Sequence, residues 1–322
     1  MNKKTLKIII PISLALFIFG FIFFYYDYYE SELHNFKVTF LNVGQGDAAL
    51  IQFANGEKML VDCGPNKIIL SALGRNLAFY DRKIDIVLAT HPDLDHYGGC
   101  IDVVKNYQVK KIITNGKGKP YDPYWQEWNK AMAESGAELV TMDKPDTWTI
   151  ASDTLKFVSP DPALPLQPKE IDNNNFSIVF RLTHGNENFL FTGDMEEPLE
   201  KLLGEKYCGS LTPGATATPP VASGDHLLFG RGGQTMSPSS PRGGEGELPK
   251  QCLLQADVLK VGHHGSDGAS SELFLSFVKP KTAIISVGKN KYGHPTLRAI
   301  RHLERTGAQI RRTDLEGDII LR

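Results

Sequence analysis

The stretch that decides the fold reads THPDLDHYGG, from Thr90 to Gly99, and it closely follows the apolar run Ile84 to Leu88. Within six residues it holds four side chains that can bind a metal ion: His91, Asp93, Asp95 and His96. Alternate residues at the end of a strand can direct their side chains into one cavity, and imidazole together with carboxylate suits a divalent cation. A polar turn with an aspartate at a helix N-cap accounts for Asp95 or His96 alone, but it leaves His91 and Asp93 unexplained. The spacing therefore predicts a metal site.

Two distant stretches end in the same way. FLFTGDM places Asp194 between an apolar strand and a helix, and DVLKVGHHGSDG places His263 and His264 after another strand. By itself a Thr-Gly-Asp sequence is more often a helix cap, and a histidine pair is often structural. Three strand ends with ligand-type side chains in one chain are harder to explain as unrelated turns, and they favour a shared metal centre.

Seven motifs occur along the chain in a fixed order: NVGQGDA, VDCG, THPDLDHYGG, NNNFSIV, FTGD, LKVGHHGS and SVGKNKYGHPT. In this order they resemble the metallo-β-lactamase-fold hydrolases and, within them, the extracytoplasmic hydrolase domain of ComEC-type competence proteins. The resemblance covers residues 37–322 apart from 208–252. It implies an α/β fold, an internally duplicated αββα sandwich with the site along one edge of its sheets, and a hydrolase that uses two divalent metal ions.

The resemblance also implies metal-ligand roles residue by residue. The ligands so implied are His91 and Asp93 at a first metal position, Asp95 and His96 at a second, and Asp194 bridging the two. One of His263 and His264 completes the second position, and we expect it to be His263. The widespread motif of the fold has a histidine where Asp93 stands, and the asparagine run 173–175 takes the place of a third histidine of the first position. Such an oxygen-rich first position makes manganese a candidate beside zinc.

Three residues are candidates for catalytic roles beyond metal binding. Asp95 could also orient the nucleophilic hydroxide, while Asp47 of GQGDA, like Asp62 of VDCG, would support a ligand histidine. His294 lies in a Gly-Pro turn that opens a basic region, so we expect it to contact the substrate or to protonate its leaving group. Ordinary turn residues are the alternative for Asp47 and His294. The residues expected to contact the substrate are Ser266, Lys289, Lys291 and Arg298.

Apolar runs separated by turns predict an opening antiparallel meander, with an Asn-Gly hairpin at residues 55–56, followed by alternating helices and strands. The predicted strands are residues 37–43, 48–53, 58–61, 84–88, 111–114, 154–158, 177–182, 189–191, 258–261, 282–286 and 318–321. The predicted helices are residues 67–78, 99–107, 123–135, 197–203, 271–277 and 296–306. Two sheets with helices outside them would bury strands of this kind.

The N-terminal residues do not belong to that domain. Residues 8–26 hold no charged side chain and are just long enough to cross membrane hydrocarbon as a helix. Three lysines precede this segment and acidic residues follow it, so the positive-inside rule places residues 1–7 in the cytoplasm. We expect a single-pass anchor in the cell membrane, a linker at 27–36, and an extracytoplasmic hydrolase domain at 37–322. A cleaved signal peptide is the alternative, although the segment ends in bulky aromatic residues rather than a small-residue cleavage site.

Residues 208–252 interrupt the pattern, because they are rich in glycine, proline, serine and threonine. Such a composition cannot bury enough surface to order itself, so we expect a disordered insertion. A lid over the substrate or a segment that docks a partner is the alternative. Cys208 and Cys252 bracket the insertion and could close it with a disulfide, and the four cysteines show no C-x-x-C spacing typical of a zinc site.

A formal net charge of −2 gives no overall sign of a nucleic-acid binder, but residues 279–322 hold ten Lys or Arg against four Asp or Glu. The arginines that could follow a phosphate backbone are Arg298, Arg301, Arg305, Arg311 and Arg312. Together with the ComEC resemblance, this favours a phosphodiesterase or nuclease that acts on single-stranded DNA during DNA uptake, with a separate DNA channel as partner. The alternatives are hydrolysis of a small phosphodiester or ester, such as envelope phosphorylcholine, and a catalytically degenerate scaffold.

Overall fold

Apolar runs of the sequence form the strands of two sheets. The structure is a computed structural model that describes residues 14, 16–21, 35–166, 173–209 and 252–322. From residue 35 onward the described strands are β1 Lys37–Phe40, β2 Ala49–Gln52, β3 Lys58–Val61, β4 Lys83–Leu88, β5 Gln108–Thr114, β6 Glu138–Thr141, β7 Asp146–Ile150, β8 Asp153–Ser159, β9 Val179–His184, β10 Glu187–Phe191, β11 Val258–Lys260, β12 Thr282–Ile285, β13 Gln309–Arg312 and β14 Ile319–Leu321. The α-helices of this part of the chain are Ile68–Asn76, Leu94–Tyr97, Cys100–Asn106, Pro123–Glu134, Glu197–Cys208, Glu272–Val278, Leu297–Thr306 and Thr313–Glu316, with 3-10 turns at Asn174–Phe176 and Gly262–Gly265.

The first turn of the domain follows from its sequence. Gly56 has a positive φ of 83°, which glycine adopts without strain, and its N–H donates to the carbonyl oxygen of Phe53 at 2.9 Å. This turn pairs β2 with β3 in antiparallel register, with Ala49 opposite Val61. The predicted Asn-Gly hairpin is therefore confirmed.

Each sheet has seven strands among the described residues, in the orders β14-β1-β2-β3-β4-β5-β6 and β13-β12-β11-β10-β9-β8-β7. Strands β3 to β6 run parallel in the first sheet, as do β10 to β13 in the second. The remaining neighbours pair in antiparallel fashion. Both halves of the domain therefore share one plan, in which an antiparallel part continues into a parallel part.

Three layers of apolar side chains hold the sheets and helices together. Phe40 of the first sheet and Phe191 of the second lie 5.8 Å apart between their ring centroids, and Phe180 stacks on Phe191 at 4.7 Å. These rings belong to the core between the sheets. A second core packs helices on the outer face of the first sheet, with Trp128 at its centre, and a third packs helices on the second sheet, with Phe274. The predicted αββα sandwich is confirmed.

The predicted membrane anchor, residues 8–26, lies outside the described residues except for positions 14 and 16–21. Within the part of the chain that the structure describes, the helices are too short or too polar to cross a bilayer. Most of the predicted insertion, residues 210–251, is also outside the described ranges. At its ends Cys208 pairs with Cys252, and a second disulfide that the sequence did not suggest joins Cys63 to Cys100.

Candidate metal centre

The carboxyl ends of the parallel strands meet at one edge of the molecule, where open α/β sheets commonly bind ligands. Strand β4 of the first sheet leads into the stretch that contains His91 and His96. In the second sheet, β10 leads to Asp194, and the neighbouring parallel strand β11 leads to His263 and His264. The three stretches singled out in the sequence therefore reach the same edge.

The turn after β4 packs against the turn after β3. Asp62 accepts a hydrogen bond from the backbone N–H of Thr90 at 2.8 Å and another from its hydroxyl at 2.9 Å. A Cβ atom on Gly99 would lie 2.2 Å from the carbonyl oxygen of Cys63, so only glycine permits this approach. The disulfide from Cys63 to Cys100 joins the same two segments. The ligand loop, residues 90–99, is thereby fixed at both of its ends.

Each candidate ligand histidine is held through its Nδ1 atom. Three of the acceptors are carboxylate or carbonyl oxygens: Asp62 at 2.8 Å from His96, Glu196 at 2.7 Å from His263, and the Ser286 carbonyl at 2.8 Å from His264. The fourth is the Thr90 hydroxyl, 3.0 Å from His91, and this hydroxyl donates its own proton to Asp62. The network assigns the hydrogen to Nδ1 in each ring, which leaves the Nε2 lone pair free to bind a metal.

The free atoms converge on Asp194. Its carboxylate oxygens lie 3.2 Å from Nε2 of His96, 3.6 Å from Nε2 of His264 and 4.0 Å from Nε2 of His91. Four of these atoms are buried without a hydrogen-bond partner: Nε2 of His91, His96 and His264, and Oδ1 of Asp194. Buried polar atoms are rarely left without a partner, so their convergence fits a site built for metal ions.

Several groups of possible ligands overlap at this edge. His91, His96 and Asp194 form one group, and Asp95, His96 and His264 form another, with the ligand atoms of each group within 4.8 Å of one another. Imidazole and carboxylate donors in these numbers are typical of zinc and manganese sites. Either group can therefore hold a divalent cation, and Asp194 lies within 4.0 Å of the Nε2 atoms of His91, His96 and His264.

The surrounding charges favour a cation. Burial alone would raise the pKa of Asp194, but the nearby histidines, first of all His96, hold this pKa well below its ordinary value. Burial lowers the pKa of His91 to about 4, and the charge of His96 adds to the effect. Burial also disfavours the charged form of His264, yet the charges of Asp194 and Asp47 raise its pKa to about 10. Carboxylates that stay ionised while buried supply the negative potential that a divalent cation requires.

The structure places His264, rather than His263, beside Asp95. Nε2 of His264 lies 3.2 Å from Asp95 Oδ2, whereas Nε2 of His263 lies 3.9 Å from Asp194 Oδ2. Both histidines have left-handed backbone angles, with φ of 45° and 52°, and their ring centroids are 6.2 Å apart. Consecutive residues in this conformation project their side chains in different directions, so only the buried His264 reaches Asp95.

Asp93 contacts two residues that the sequence did not connect with it. Its Oδ1 atom accepts from Nζ of Lys119 at 2.6 Å and from Nδ2 of Asn173 at 3.0 Å. Its Oδ2 atom lies 3.8 Å from Nε2 of His91. One oxygen of this carboxylate therefore faces the centre while the other binds a lysine and the first residue of the asparagine run.

Comparison with known proteins supports the same conclusion as the geometry. The model of the metallo-beta-lactamase superfamily matches residues 41–289, more than half of the chain. The chain belongs to this superfamily. The fold of this superfamily binds divalent metal ions, and the donor atoms described above fit such a site.

The chain is also similar to competence proteins, as its motifs predicted. It is 27% identical over 317 residues to ComE operon protein 3 of Bacillus subtilis (strain 168), covering 93% of this chain and 34% of that protein. It is 27% identical over 282 residues to competence protein ComA of Neisseria gonorrhoeae, covering 87% of this chain and 31% of ComA. The chain thus spans about a third of the length of these relatives. Among solved structures, CmlA, a diiron beta-hydroxylase from Streptomyces venezuelae, is similar with a TM-score of 0.50 and 12% identity, covering 90% of this chain and 54% of CmlA, which shows the fold alone.

Asp47 supports the metallo-beta-lactamase centre from the Nδ1 side of His264, 3.2 Å away. Its other oxygen pairs with Nζ of Lys260 at 2.6 Å, and both side chains are buried. The GQGDA turn that carries Asp47 lies directly on the ligand loop, because a Cβ atom on Gly46 would be 2.3 Å from the carbonyl oxygen of Asp95. The geometry thus gives Asp47 a contact with a ligand histidine, as the sequence suggested.

The expected substrate-contacting residues fall at different distances from the centre. The ring of His294 lies 5.4 Å from that of His263, and its Nδ1 atom is buried without a partner. The Oγ atom of Ser266 is likewise buried and unpartnered. Lys289 and Lys291 are exposed on the loop after β12. Arg298 donates to the carbonyl oxygen of Asp267, the residue that follows Ser266.

Four of the five arginines that could follow a phosphate backbone bind carboxylate or carbonyl oxygens of the chain. Arg298 donates to the carbonyl oxygen of Asp267 and lies 3.4 Å from Glu197, and Arg305 pairs with Glu272. Arg311 and Arg312 bind carboxylates of the helix Thr313–Glu316, each at 2.6 Å. Their charge is therefore largely compensated by neighbouring acids.

Sequence reasoning missed four residues that hold the centre: Lys119, Ser177, Glu196 and Lys260. Glu196 stands two residues after Asp194, and Lys260 lies within the LKVGHHGS motif, so both could have been considered as supports. Ser177 accepts a hydrogen bond from the N–H of Asp194 at 3.1 Å. Lys119 has no local signal, because its contact with Asp93 depends on how two separate loops meet.

Proposed function

We propose that the protein is a metal-dependent phosphodiesterase that cleaves single-stranded DNA at the outer face of the cell membrane and takes part in DNA uptake. The observation that carries the proposal is the convergence of three buried, unpartnered histidine Nε2 atoms on the Asp194 carboxylate. A metal-dependent hydrolase agrees with the superfamily. The choice of DNA as substrate draws support from the competence relatives.

In this proposal two divalent cations, manganese or zinc, occupy adjacent positions. The first would be held by His91 and Asp93, and the second by Asp95, His96 and His264, with Asp194 shared between them. Bound cations of this kind supply an acidic water and stabilise negative charge on phosphoryl oxygens. The protein's own part is to orient these ligands, since Asp62 holds the ring of His96 and the Ser286 carbonyl holds the ring of His264.

Several residues of the chain would position the substrate. The side chain of Asp95 is 33% exposed, so a solvent molecule can reach the carboxylate and be oriented by it. His294 and Ser266 offer buried polar atoms without partners for contact with a phosphodiester. Lys289 and Lys291 on one side, and Lys117 on another loop at this edge, are exposed cations that favour an anionic substrate.

We propose an extracytoplasmic location, with residues 8–26 as a single-pass anchor and the N-terminus in the cytoplasm. Support comes from the charge pattern around that segment and from the disulfides, which use all four cysteines of the chain. Disulfides persist in oxidising compartments and are rare in the cytosol. A DNA channel as partner is part of the same proposal, and its support is the competence relatives alone.

The test uses the purified full-length chain in detergent with fluorescent single-stranded DNA and added Mn²⁺, Zn²⁺ or Mg²⁺. We expect cleavage that requires metal and disappears in Asp95→Ala, while Glu134→Ala, which removes an exposed carboxylate elsewhere, remains active. Hydrolysis of p-nitrophenylphosphorylcholine without DNA cleavage would replace DNA by a small phosphodiester. A folded protein that binds no metal would indicate a scaffold and end the proposal.

A further inference from the structure

Asp93 is a candidate metal ligand whose carboxylate already binds the ammonium group of a lysine. Nζ of Lys119 lies 2.6 Å from its Oδ1 atom, and Asn173 donates to the same oxygen at 3.0 Å. At the second position the contacts described above involve no lysine. Asp95 lies beside His264, His96 beside Asp62, and His264 also beside the Ser286 carbonyl. The two metal positions therefore differ in electrostatics as well as in ligand type.

The loop that carries Lys119 is held in place, so the pairing is part of the fold. The carbonyl oxygen of Lys119 accepts from the N–H of Asp122 at 2.8 Å, and the Asp122 side chain caps the helix Pro123–Glu134. Gly118 lies against the indole of Trp125, since a Cβ atom there would be 2.6 Å from Nε1. Trp125 in turn packs edge-on against the buried Tyr97, which directly follows His96. The backbone that carries Lys119 is thereby packed against the residue that follows His96.

We propose that Lys119 makes occupancy of the first metal position depend on an anionic substrate. The inference rests on the proposed two-metal phosphodiesterase. An ammonium group and a divalent cation that bind one carboxylate repel each other, so Lys119 weakens the first position for metal. A phosphodiester beside Asp93 offers the ammonium group a second anion and lowers this repulsion. Metal and substrate would then bind the first position cooperatively.

Asn173 provides a matched control, because it contacts the same oxygen without carrying charge. Lys119→Met removes the charge and keeps most of the side-chain volume, whereas Asn173→Ala removes only an orienting hydrogen bond. If Lys119 acts through its charge, the two changes alter metal affinity in opposite directions. If Lys119 merely orients Asp93, both changes weaken binding.

The experiment titrates Mn²⁺ into the metal-free full-length chain, with calorimetry for affinity and paramagnetic resonance to distinguish an isolated ion from a coupled pair. The anion probe is dithymidine phosphorothioate, and its uncharged control is dithymidine methylphosphonate. For the wild type we expect one Mn²⁺ alone or with the uncharged control, and a coupled pair with the charged probe. Lys119→Met should bind the second ion without any probe, about tenfold or more tightly than the wild type.

Three results would overturn the inference. They are a coupled pair in the wild type without an anion, weaker binding of the second ion in Lys119→Met, and the same behaviour with both dinucleotides. Lys119→Arg keeps the charge and should behave as the wild type. Failure of the proposed function looks different, because none of the variants would then bind Mn²⁺ or hydrolyse bis(p-nitrophenyl) phosphate.

Discussion

Replacing both Cys63 and Cys100 by alanine would separate what their disulfide does for stability from what it does for the metal centre. Cys63 directly follows Asp62, which holds the His96 ring at 2.8 Å, and Cys100 begins the helix that comes after His96. Both cysteines are fully buried. Without the bond, the segments that carry Asp62 and His96 remain joined only by hydrogen bonds and packing. We therefore expect the variant to lose both stability and metal affinity.

The expected loss of stability follows from the length of chain between the cysteines. Cys63 and Cys100 are 37 residues apart, for which the chain-entropy relation gives about 4 kcal/mol near room temperature. The other disulfide, Cys208–Cys252, spans 44 residues and gives nearly the same value, again about 4 kcal/mol. Its double alanine variant is therefore a control that matches the loss of stability away from the metal ligands.

Urea unfolding of the metal-free protein measures the first effect, and competition with a chelating dye measures the second. Both variants should lose about 4 kcal/mol of unfolding free energy. Metal affinity should fall by about tenfold or more only where the Cys63–Cys100 bond is missing. Equal metal affinity in the two variants would refute the idea that this disulfide positions the Asp62–His96 pair.

Three further substitutions test single groups. Asp62→Asn removes the carboxylate partner of His96, so calorimetry should show metal binding weakened by about 10- to 100-fold, and unchanged affinity would contradict this role. Lys260→Met removes the buried ammonium partner of the Asp47 carboxylate, which should cost about 3–5 kcal/mol in urea unfolding, and adding Asp47→Asn should recover part of that loss. Burial raises the pKa of Glu200 from 4.5 to about 7, so the folded state holds its proton more tightly than the unfolded state. This effect stabilises the protein below pH 4.5, and the stabilisation, about 3 kcal/mol, is lost as the pH rises to about 7. Glu200→Gln should flatten that part of the profile of unfolding free energy against pH. An unaltered profile would exclude Glu200 as the source of the pH dependence.

Apolar runs were sufficient to predict the interior strands and the edge strand β14, but not the other three edge strands. The prediction lacked β6, β7 and β13, each of which lies at an edge of its sheet. Residues 138–141 of β6, for example, are exposed at three of four positions. An edge strand pairs with one neighbour and faces solvent, so its sequence does not need an apolar run. The four-residue helices Leu94–Tyr97 and Thr313–Glu316 were missed because they are too short to show a helical period.

The site was predictable where ligands stand at strand ends and unpredictable where distant loops meet. His91, Asp194 and the histidine pair follow strands, so their convergence could be expected from the order of motifs. Which histidine of the pair faces Asp95 depends on two left-handed backbone angles that the sequence does not reveal. The contacts of Asp93 join residues 26 and 80 positions away along the chain, and no local pattern specifies them.

The charge of the C-terminal region shows how a count along the sequence can mislead about a surface. Residues 279–322 hold six more basic than acidic side chains, yet Arg298 and Arg305 pair with Glu197 and Glu272, which lie outside that range. Folding thus brings acids from elsewhere to the arginines that were expected to bind phosphate. The exposed Lys289 and Lys291 instead stand at the strand edge that carries the metal ligands. Lys289 and Lys291 therefore supply positive charge at that edge, and neutralising them should affect binding of an anionic substrate more than neutralising the paired arginines.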